Sequence, residues 1–476
     1  MPRPTTQSAG TRPVVPAGVA AGHPDTARTG LDILRRGGSA ADAVAAMIVT
    51  GCVAETLFTG LGGGGFATVY HAATGTVSCL DFFVAVPGLD GTVAAPPTTI
   101  DVSFGGVPVP YAMGGPTVAV PGNPAGVAEL HRRFGTVDWS DIVAPARDLA
   151  RTGSEFSQPH ADLLPEVAAA MVAGAGRPSY LPDGETLLAA GDILRHAGLA
   201  ETLEQFRRHG PEMFYTGGWA QDFVAAVRAD GGALGEPDLA AYRVAELPVA
   251  TAAFGATTVH VRENDLDGFA ATLGRIDTGA LVAGPVARAR ALVAGLRAPA
   301  RRSETTSVAA VDAAGNACAA THTLGLGSGV WVGGVHGNSM LGEGELLRGD
   351  LRPGVRMPSM MVPLIVLDAD DRLALAGGAA GGSRIRPALV QVLGNILIQQ
   401  LPAGEAVRAP RLSVAGDTVH LEPDFPAEVV KDLAEQGFRL VHWDRQRPYF
   451  GGVSVVAATG PAADPRRGGS ALSQQE

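Results

Sequence analysis

The sequence predicts an α+β protein with a large core, and three observations carry that expectation. Short apolar runs bounded by Gly, Pro, Asn and Asp alternate with segments of helical spacing from about residue 15 to about residue 460. Of 476 residues, 46% are hydrophobic and 17% charged, and that length allows two to three domains. Two apolar runs, from Thr305 and up to Leu324, flank Asp312-Ala313-Ala314-Gly315-Asn316. That is the pattern of a β-hairpin closed by a Gly/Asn turn.

Taken in order, residues 1 to about 15 read as a disordered tail. Val15 to Ala21 is a short strand ended by Gly22-His23-Pro24. Asp25 to Arg36 has helical spacing, with Ala27, Leu31 and Leu34 on one face, Asp25 as cap and Gly37-Gly38 as stop. Asp42 to Val53 is a second, more apolar helix. The glycine run Gly60-Leu61-Gly62-Gly63-Gly64-Gly65 then precedes a strand, Ala67 to His71. A phosphate loop follows a strand, opens a helix and carries a Lys-Ser/Thr, so this run is not read as a nucleotide site. Thr76 to Phe82 is another strand, and helices follow at intervals to about Tyr242. The stretch from Pro461 onward is polar and expected to be disordered.

The charge pattern excludes several function classes. Net charge is −11 with the acidic residues scattered, which argues against nucleic acid or an anionic membrane as partner. There is no run of about 18 apolar residues to span a membrane. Cys52, Cys79 and Cys318 have neither metal-ligand spacing nor an even count, which points to a reducing compartment. The N-terminus has no secretory apolar segment, so a cytoplasmic location is expected.

Several stretches in combination resemble the gamma-glutamyltranspeptidase family. They are Thr305-Thr306 with the turn after it, Thr321 and Thr323, Gly327-Ser328-Gly329, and Ala376-Gly377-Gly378-Ala379-Ala380-Gly381-Gly382-Ser383-Arg384-Ile385. Gly37-Gly38-Ser39-Ala40-Ala41-Asp42-Ala43 also matches, with Ser39 in place of the family's usual Asn. The resemblance implies a four-layer αββα sandwich of the N-terminal-nucleophile hydrolase type, with close backbone packing at the glycine run 60–65. It also implies a precursor that cuts itself between Glu304 and Thr305. The pieces would be a large subunit, 1–304, and a small subunit, 305–476, which stay associated; higher oligomers are also open. Neither a metal nor an organic cofactor is implied.

The chemistry fits that position. A threonine hydroxyl becomes nucleophilic when a base takes its proton, and an N-terminal threonine carries its own base, the freed α-amine. By resemblance, Thr305 is the nucleophile, Thr323 supports it by a hydrogen bond, and Gly381 and Gly382 supply the oxyanion-hole N–H groups.

The substrate side departs from the family. Phe83 stands where the family arginine grips the glutamyl α-carboxylate, in Asp81-Phe82-Phe83-Val84-Ala85-Val86-Pro87. Gly325 replaces an asparagine. The family's acidic residue falls near Gly342, with Glu343 adjacent. Of two family serines, Ser359 remains and Met360 replaces the other. Phe83, Ser359, Asn338 and Arg356 are the expected substrate-binding residues.

The expected function is therefore a self-processing threonine hydrolase or transferase acting on a small molecule without a γ-glutamyl head. A biosynthetic, antibiotic-type pathway is expected, including C–C hydrolysis of an oxo acid in alkyl-proline formation, as in one branch of the family. Two other readings stay open: a γ-glutamyl hydrolase or transferase acting on glutathione-like compounds, and an unprocessed binding protein.

Overall fold

The computed structural model describes residues 14–104, 107–297, 305–344 and 346–475. Two antiparallel neighbours form its centre, Thr306–Val311 and Ala317–Thr323, and every residue on both is buried. A strand buried on both faces must lie between two layers. The alternation of side chains shows which layers. Val308, Ala310, Cys318 and Ala320 pack with the helix Ala40–Ala54. Ala309, Val311, Ala317 and Ala319 face the other way, onto Ile365, Leu367, Ala376 and Val456 of a second sheet.

The first sheet runs in the order Ser470–Ser473, Gly18–Ala21, Thr306–Val311, Ala317–Thr323, Gly64–His71, Thr76–Phe82, Ala245–Leu247. The second runs Gly460–Ala463, Gly452–Ala457, Leu373–Ala380, Leu364–Leu367, Thr257–Arg262, Val249–Phe254. Helices including Pro24–Arg35, Ala40–Ala54 and Trp139–Thr152 cover the first sheet. Pro285–Leu296, Ile385–Leu393 and Ala427–Glu435 cover the second. The result is the expected α+β, four-layer αββα sandwich. Both sheets take strands from both sides of Thr305, interleaved in the first and side by side in the second, so neither 1–304 nor 305–476 has a complete sheet alone.

The local signals are mostly where the sequence puts them. The turn after the central strand closes through Gly315 N–H to Asp312 C=O at 3.0 Å. The Asp312 carboxylate then accepts from the backbone N–H of Ala40 at 3.0 Å, docking the hairpin onto the start of the apolar helix. That helix is capped reciprocally by Ser39 and Asp42. The glycine run does bring backbones together: a Cβ on Gly63 would stand 2.0 Å from the carbonyl oxygen of Thr323.

Two expectations are corrected. His23, rather than Asp25, caps the first helix, its Nδ1 accepting from Asp25 N–H at 3.2 Å. The stretch from Pro461 is ordered: Ser470–Ser473 is an edge strand paired with Gly18–Ala21, and Asp464, Arg466 and Arg467 are buried. Its polar residues misled the reading because their charges pair with one another inside. The N-terminal tail expectation, except Val14 and Val15, lies outside the described residues.

Two measurements test this architecture. Gly378 faces the first sheet so closely that a Cβ would lie 2.5 Å from Ser307 Oγ and 2.9 Å from Thr321 Oγ1. Gly378→Val is expected to destabilise the protein by about 1–3 kcal/mol through overpacking, read as a lower denaturation midpoint. Burial also pushes His160, His322 and His336 down to about 3 and His196 down to about 4. The unfolded chain, with histidines near ~6.5, then binds more protons than the folded one at acidic pH. Stability should fall as pH drops below about 6.5, by roughly 1.4 kcal/mol per histidine per pH unit. A thermal midpoint that stays level from pH 7 to pH 5 would contradict this.

Candidate active site

Thr305 stands immediately before the central strand and is 1% exposed. Thr306 pairs with His322, so the same register brings Thr305 opposite Thr323. Side chains at 305, 307, 321 and 323 share the face that looks toward the second sheet, where apolar alanines give way to hydroxyls. Thr321 Oγ1 donates to Ser307 Oγ at 3.4 Å. Thr323 Oγ1 accepts from Gly325 N–H at 2.9 Å. Thr305 Oγ1 is buried with no hydrogen-bond partner among the described residues. A buried hydroxyl left open in this way is a group available for chemistry.

The chain at Thr305 is held from two sides. Arg467 Nη1 donates to the Thr305 carbonyl at 3.0 Å. On the helix side, Thr306 Oγ1 donates to Glu55 Oε2, and Thr26 Oγ1 donates to Glu55 Oε1 at 2.8 Å. Glu55 is 1% exposed, and Gly22 leaves room for it, since a Cβ there would sit 2.2 Å from Oε2. Burial pushes the Glu55 carboxyl above its ordinary range, against the hydroxyl of Thr306 and the charges of His23 and Arg467.

Gly381 and Gly382 lie where the strand Leu373–Ala380 turns into the helix Ile385–Leu393. Their φ angles are 115° and 57°, which only glycine adopts readily. A Cβ on Gly381 would be 3.4 Å from Arg467 Nη2, so this turn and Thr305 meet at one arginine. Thr305, Thr323 and the Gly381-Gly382 turn are thus assembled at one end of the inter-sheet seam. Glu304 lies outside the described residues.

The substrate-binding expectations fall differently. Phe83 is fully buried and stacks on Phe66 at 5.4 Å between ring centroids. The Arg262 guanidinium lies 4.1 Å over the other ring, Phe66, with Nε on the Met361 carbonyl at 2.8 Å and Nη2 on the Ser359 carbonyl. Ser359 Oγ accepts from Met361 N–H at 3.1 Å. Asn338 is spent on backbone: Nδ2 donates to Gly62 and Ala119 carbonyls at 2.8 Å each, and Oδ1 accepts from Ala119 and Met340 N–H groups. Arg356 lies 3.6 Å from Asp81 and 4.0 Å over the Tyr242 ring, and donates to the Arg243 carbonyl. Asp81 is pushed up by burial, with Arg356 opposing.

Gly325 lies against Glu343 and Ser339: a Cβ there would be 2.5 Å from Glu343 Oε1 and 2.6 Å from Ser339 Oγ. Tyr111 joins this group, its hydroxyl bonded to Ser339 Oγ and 3.4 Å from Glu343 Oε1. Arg467, Glu55, Arg262 and Tyr111 are site neighbours that sequence reasoning missed. Only Arg467 carried a usable signal, two arginines and an aspartate in an otherwise polar tail. Among the described residues no cluster of His, Cys, Asp and Glu is placed to hold a metal, and no helix is long and apolar enough to cross a membrane.

Comparison with known proteins gives this geometry a context. The acylase ACY 1 proenzyme of Pseudomonas sp. (strain V22) is 27% identical, over 92% of this chain and 89% of its own length. The glutathione hydrolase proenzyme of Pseudomonas aeruginosa is 27% identical, over 94% of this chain and 92% of its own. In fold, a cephalosporin acylase from Bacillus halodurans superposes with a TM-score of 0.78 over 99% of both chains, at 23% identity. The profile of the gamma-glutamyltranspeptidase family matches residues 26–274 and 282–474, and the chain belongs to that family of N-terminal-nucleophile enzymes.

Proposed function

We propose that this chain cuts itself between Glu304 and Thr305 and then hydrolyses or transfers an acyl group that has no γ-glutamyl head. The carrying observation is the split between the two halves of the site. On the catalytic side Thr305, Thr323, Gly381 and Gly382 are kept and gathered. On the recognition side Phe83 replaces a cation and is packed into the core, and the amide of Asn338 is saturated by backbone.

The steps follow from the residues. The freed α-amine of Thr305 takes the hydroxyl proton, and Oγ1 adds to the substrate carbonyl. Gly381 and Gly382 N–H groups stabilise the oxyanion; one such donor is typically worth about 2.7–4 kcal/mol. The leaving group takes the proton, and water or an acceptor resolves the ester on Thr305. Interleaved strands would keep the two pieces together after the cut. Names of two similar proteins, both acylases, support a C–N acyl bond as the one broken. A pathway that builds a specialised small molecule suits a site whose recognition residues changed while its catalytic ones stayed. C–C cleavage next to an oxo acid needs the same addition to a carbonyl, so one assay panel separates the two.

Denaturing electrophoresis of the purified protein should show two pieces, and mass analysis should place the start of the smaller at Thr305. Thr305→Ala should stay as one chain; if it still splits at that bond, the assignment of Thr305 fails.

A γ-glutamyl anilide should be a poor substrate beside a simple acyl anilide, by tenfold or more in kcat/KM. An unpaired α-carboxylate against Phe83 costs desolvation without a compensating charge. Turnover of the γ-glutamyl anilide at about 10⁴ M⁻¹s⁻¹ or above would refute the specificity argument. An oxo acid with its cleavable bond next to a carbonyl, included in the same panel, reads the C–C reaction directly.

A further inference from the structure

The helices that cover the second sheet leave a cavity of about 200 Å³ between them. It shares no residue with Thr305, Thr323 or the Gly381-Gly382 turn. Its floor is aliphatic and buried, made by Leu281, Ala289, Leu292, Val390, Leu412 and Val429. Its rim is exposed and carries Pro285, Pro410 and Pro426, whose fixed φ angles hold the opening in shape. An apolar cavity of about 150 Å³ accommodates benzene. This one is large enough for a ring or short chain together with a small head group.

One wall is irregular. After the helix Ile385–Leu393 the backbone widens into a π turn, Gly394–Ile398, with Gln399 N–H bonded to the Gly394 carbonyl at 3.0 Å. Gly394, Asn395 and Gln399 there line the cavity. Such turns are rare and recur at functional sites.

The lining amides are already engaged. Gln391 Nε2 donates to the Pro387 and Leu412 carbonyls at 2.8 and 3.0 Å, and its Oε1 accepts from Leu412 N–H at 3.0 Å. Asn395 Oδ1 accepts from Gln399 Nε2 at 2.7 Å. Arg288 differs. Its Nε donates to the Leu281 carbonyl at 2.9 Å, which fixes the guanidinium at the cavity wall. Among the described residues neither Nη1 nor Nη2 has a hydrogen-bond partner, and no carboxylate lies within ion-pair distance. Two residues along the same helix, Arg290 pairs with Asp432, and just past its end Arg297 pairs with Asp417. Asp424, the other charged lining residue, is exposed and makes no ion pair with Arg288. Burial disfavours the Arg288 charge, with no anion opposing that effect among the described residues. A half-buried cation on an apolar wall is completed by an anion.

We infer that this cavity is a binding site for a small monocarboxylate with an apolar body, its carboxylate paired with Nη1 and Nη2 of Arg288 and its ring or chain on the aliphatic floor. One cation balances one charge, so a carboxylate fits better than a phosphate ester, which carries about −1.5 to −2 near neutral pH. The site is separate from the proposed acyl chemistry and does not depend on the chain being cut.

The probes are 3-phenylpropionate and hexanoate, with 3-phenylpropionamide as the neutral control, titrated calorimetrically into the intact protein. At least one acid should bind with a Kd of about 1 mM or tighter, as ligands of this size do in a formed pocket. The amide should bind about tenfold or more weaker than its acid. Hydrogen exchange should slow in 281–292 and 390–399 when the acid is added. Arg288→Gln should weaken the acid by about tenfold or more and leave the amide unchanged. Ala289→Leu, which fills the floor, should weaken acid and amide alike. Should Ala289→Leu fail to fold, Arg288→Gln and the exchange pattern decide alone. The inference is overturned if neither acid saturates the protein below about 10 mM. It is equally overturned by equal affinity for acid and amide, by an acid affinity that Arg288→Gln leaves in place, or by protection that falls at 305–323 and 377–384 instead.

Discussion

The hydrogen bond from Arg467 to the carbonyl of Thr305 ties the start of the central strand to the segment beyond Pro461. What holds Arg467 in place is a buried set of charges. Arg411 pairs with Asp464, and Arg466 pairs with Glu422 and Asp464, at exposures of 0–3%. Every member has a partner, which is the condition for burying charge at all. Losing one partner from such a set costs about 3–5 kcal/mol, because a charge is left unpaired in the interior. The segment beyond Pro461 is therefore structural: a charged turn that holds the backbone at Thr305, then a strand that completes the first sheet.

The second constraint is the narrow gap between the sheets. Ala309, Ala317, Ala319 and Ala376 let them approach, and Gly378 lets them close further under Ser307 and Thr321. Along the same face, side chains change from alanine to hydroxyl as the strands reach Thr305 and Thr323. One end of the seam is thus a dry core and the other a cluster of hydroxyls around the proposed nucleophile. Preorganisation of this kind spares the reaction the cost of ordering dipoles as charge develops.

Much of the local structure around Thr305 was legible in the sequence because it is local. A hairpin turn, two apolar strands and a glycine pair at a strand end each leave a short pattern, and the Ser39/Asp42 cap does the same. Long-range partnerships left none. Nothing around Glu55 says that its carboxylate accepts from Thr26 and Thr306, residues far from it in the chain. Polar composition after Pro461 suggested disorder, since composition cannot show that Asp464, Arg466 and Glu422 neutralise one another. Asn338 and Arg356 were drawn toward the substrate by their chemistry, while the fold commits the first to three backbone segments and engages the second with Asp81 and Tyr242.

Around Phe83 several residues are packed as one unit. The cation missing at Phe83 has a neighbour two rings away, Arg262, stacked over Phe66. That arginine spends its N–H groups on the carbonyls of Ser359, Met361 and Asn264, so it fixes the 359–361 segment instead of meeting an anion. Phe66 and Phe83 then lie as an apolar layer over a charge that is already satisfied. An arginine placed at 83 would enter this packed layer with its own charge unpaired, and the cost of burying it would come before any gain from a substrate carboxylate. Phe83, Phe66, Arg262 and the 359–361 segment are thus held by one another, and a substitution at any one of them meets the others.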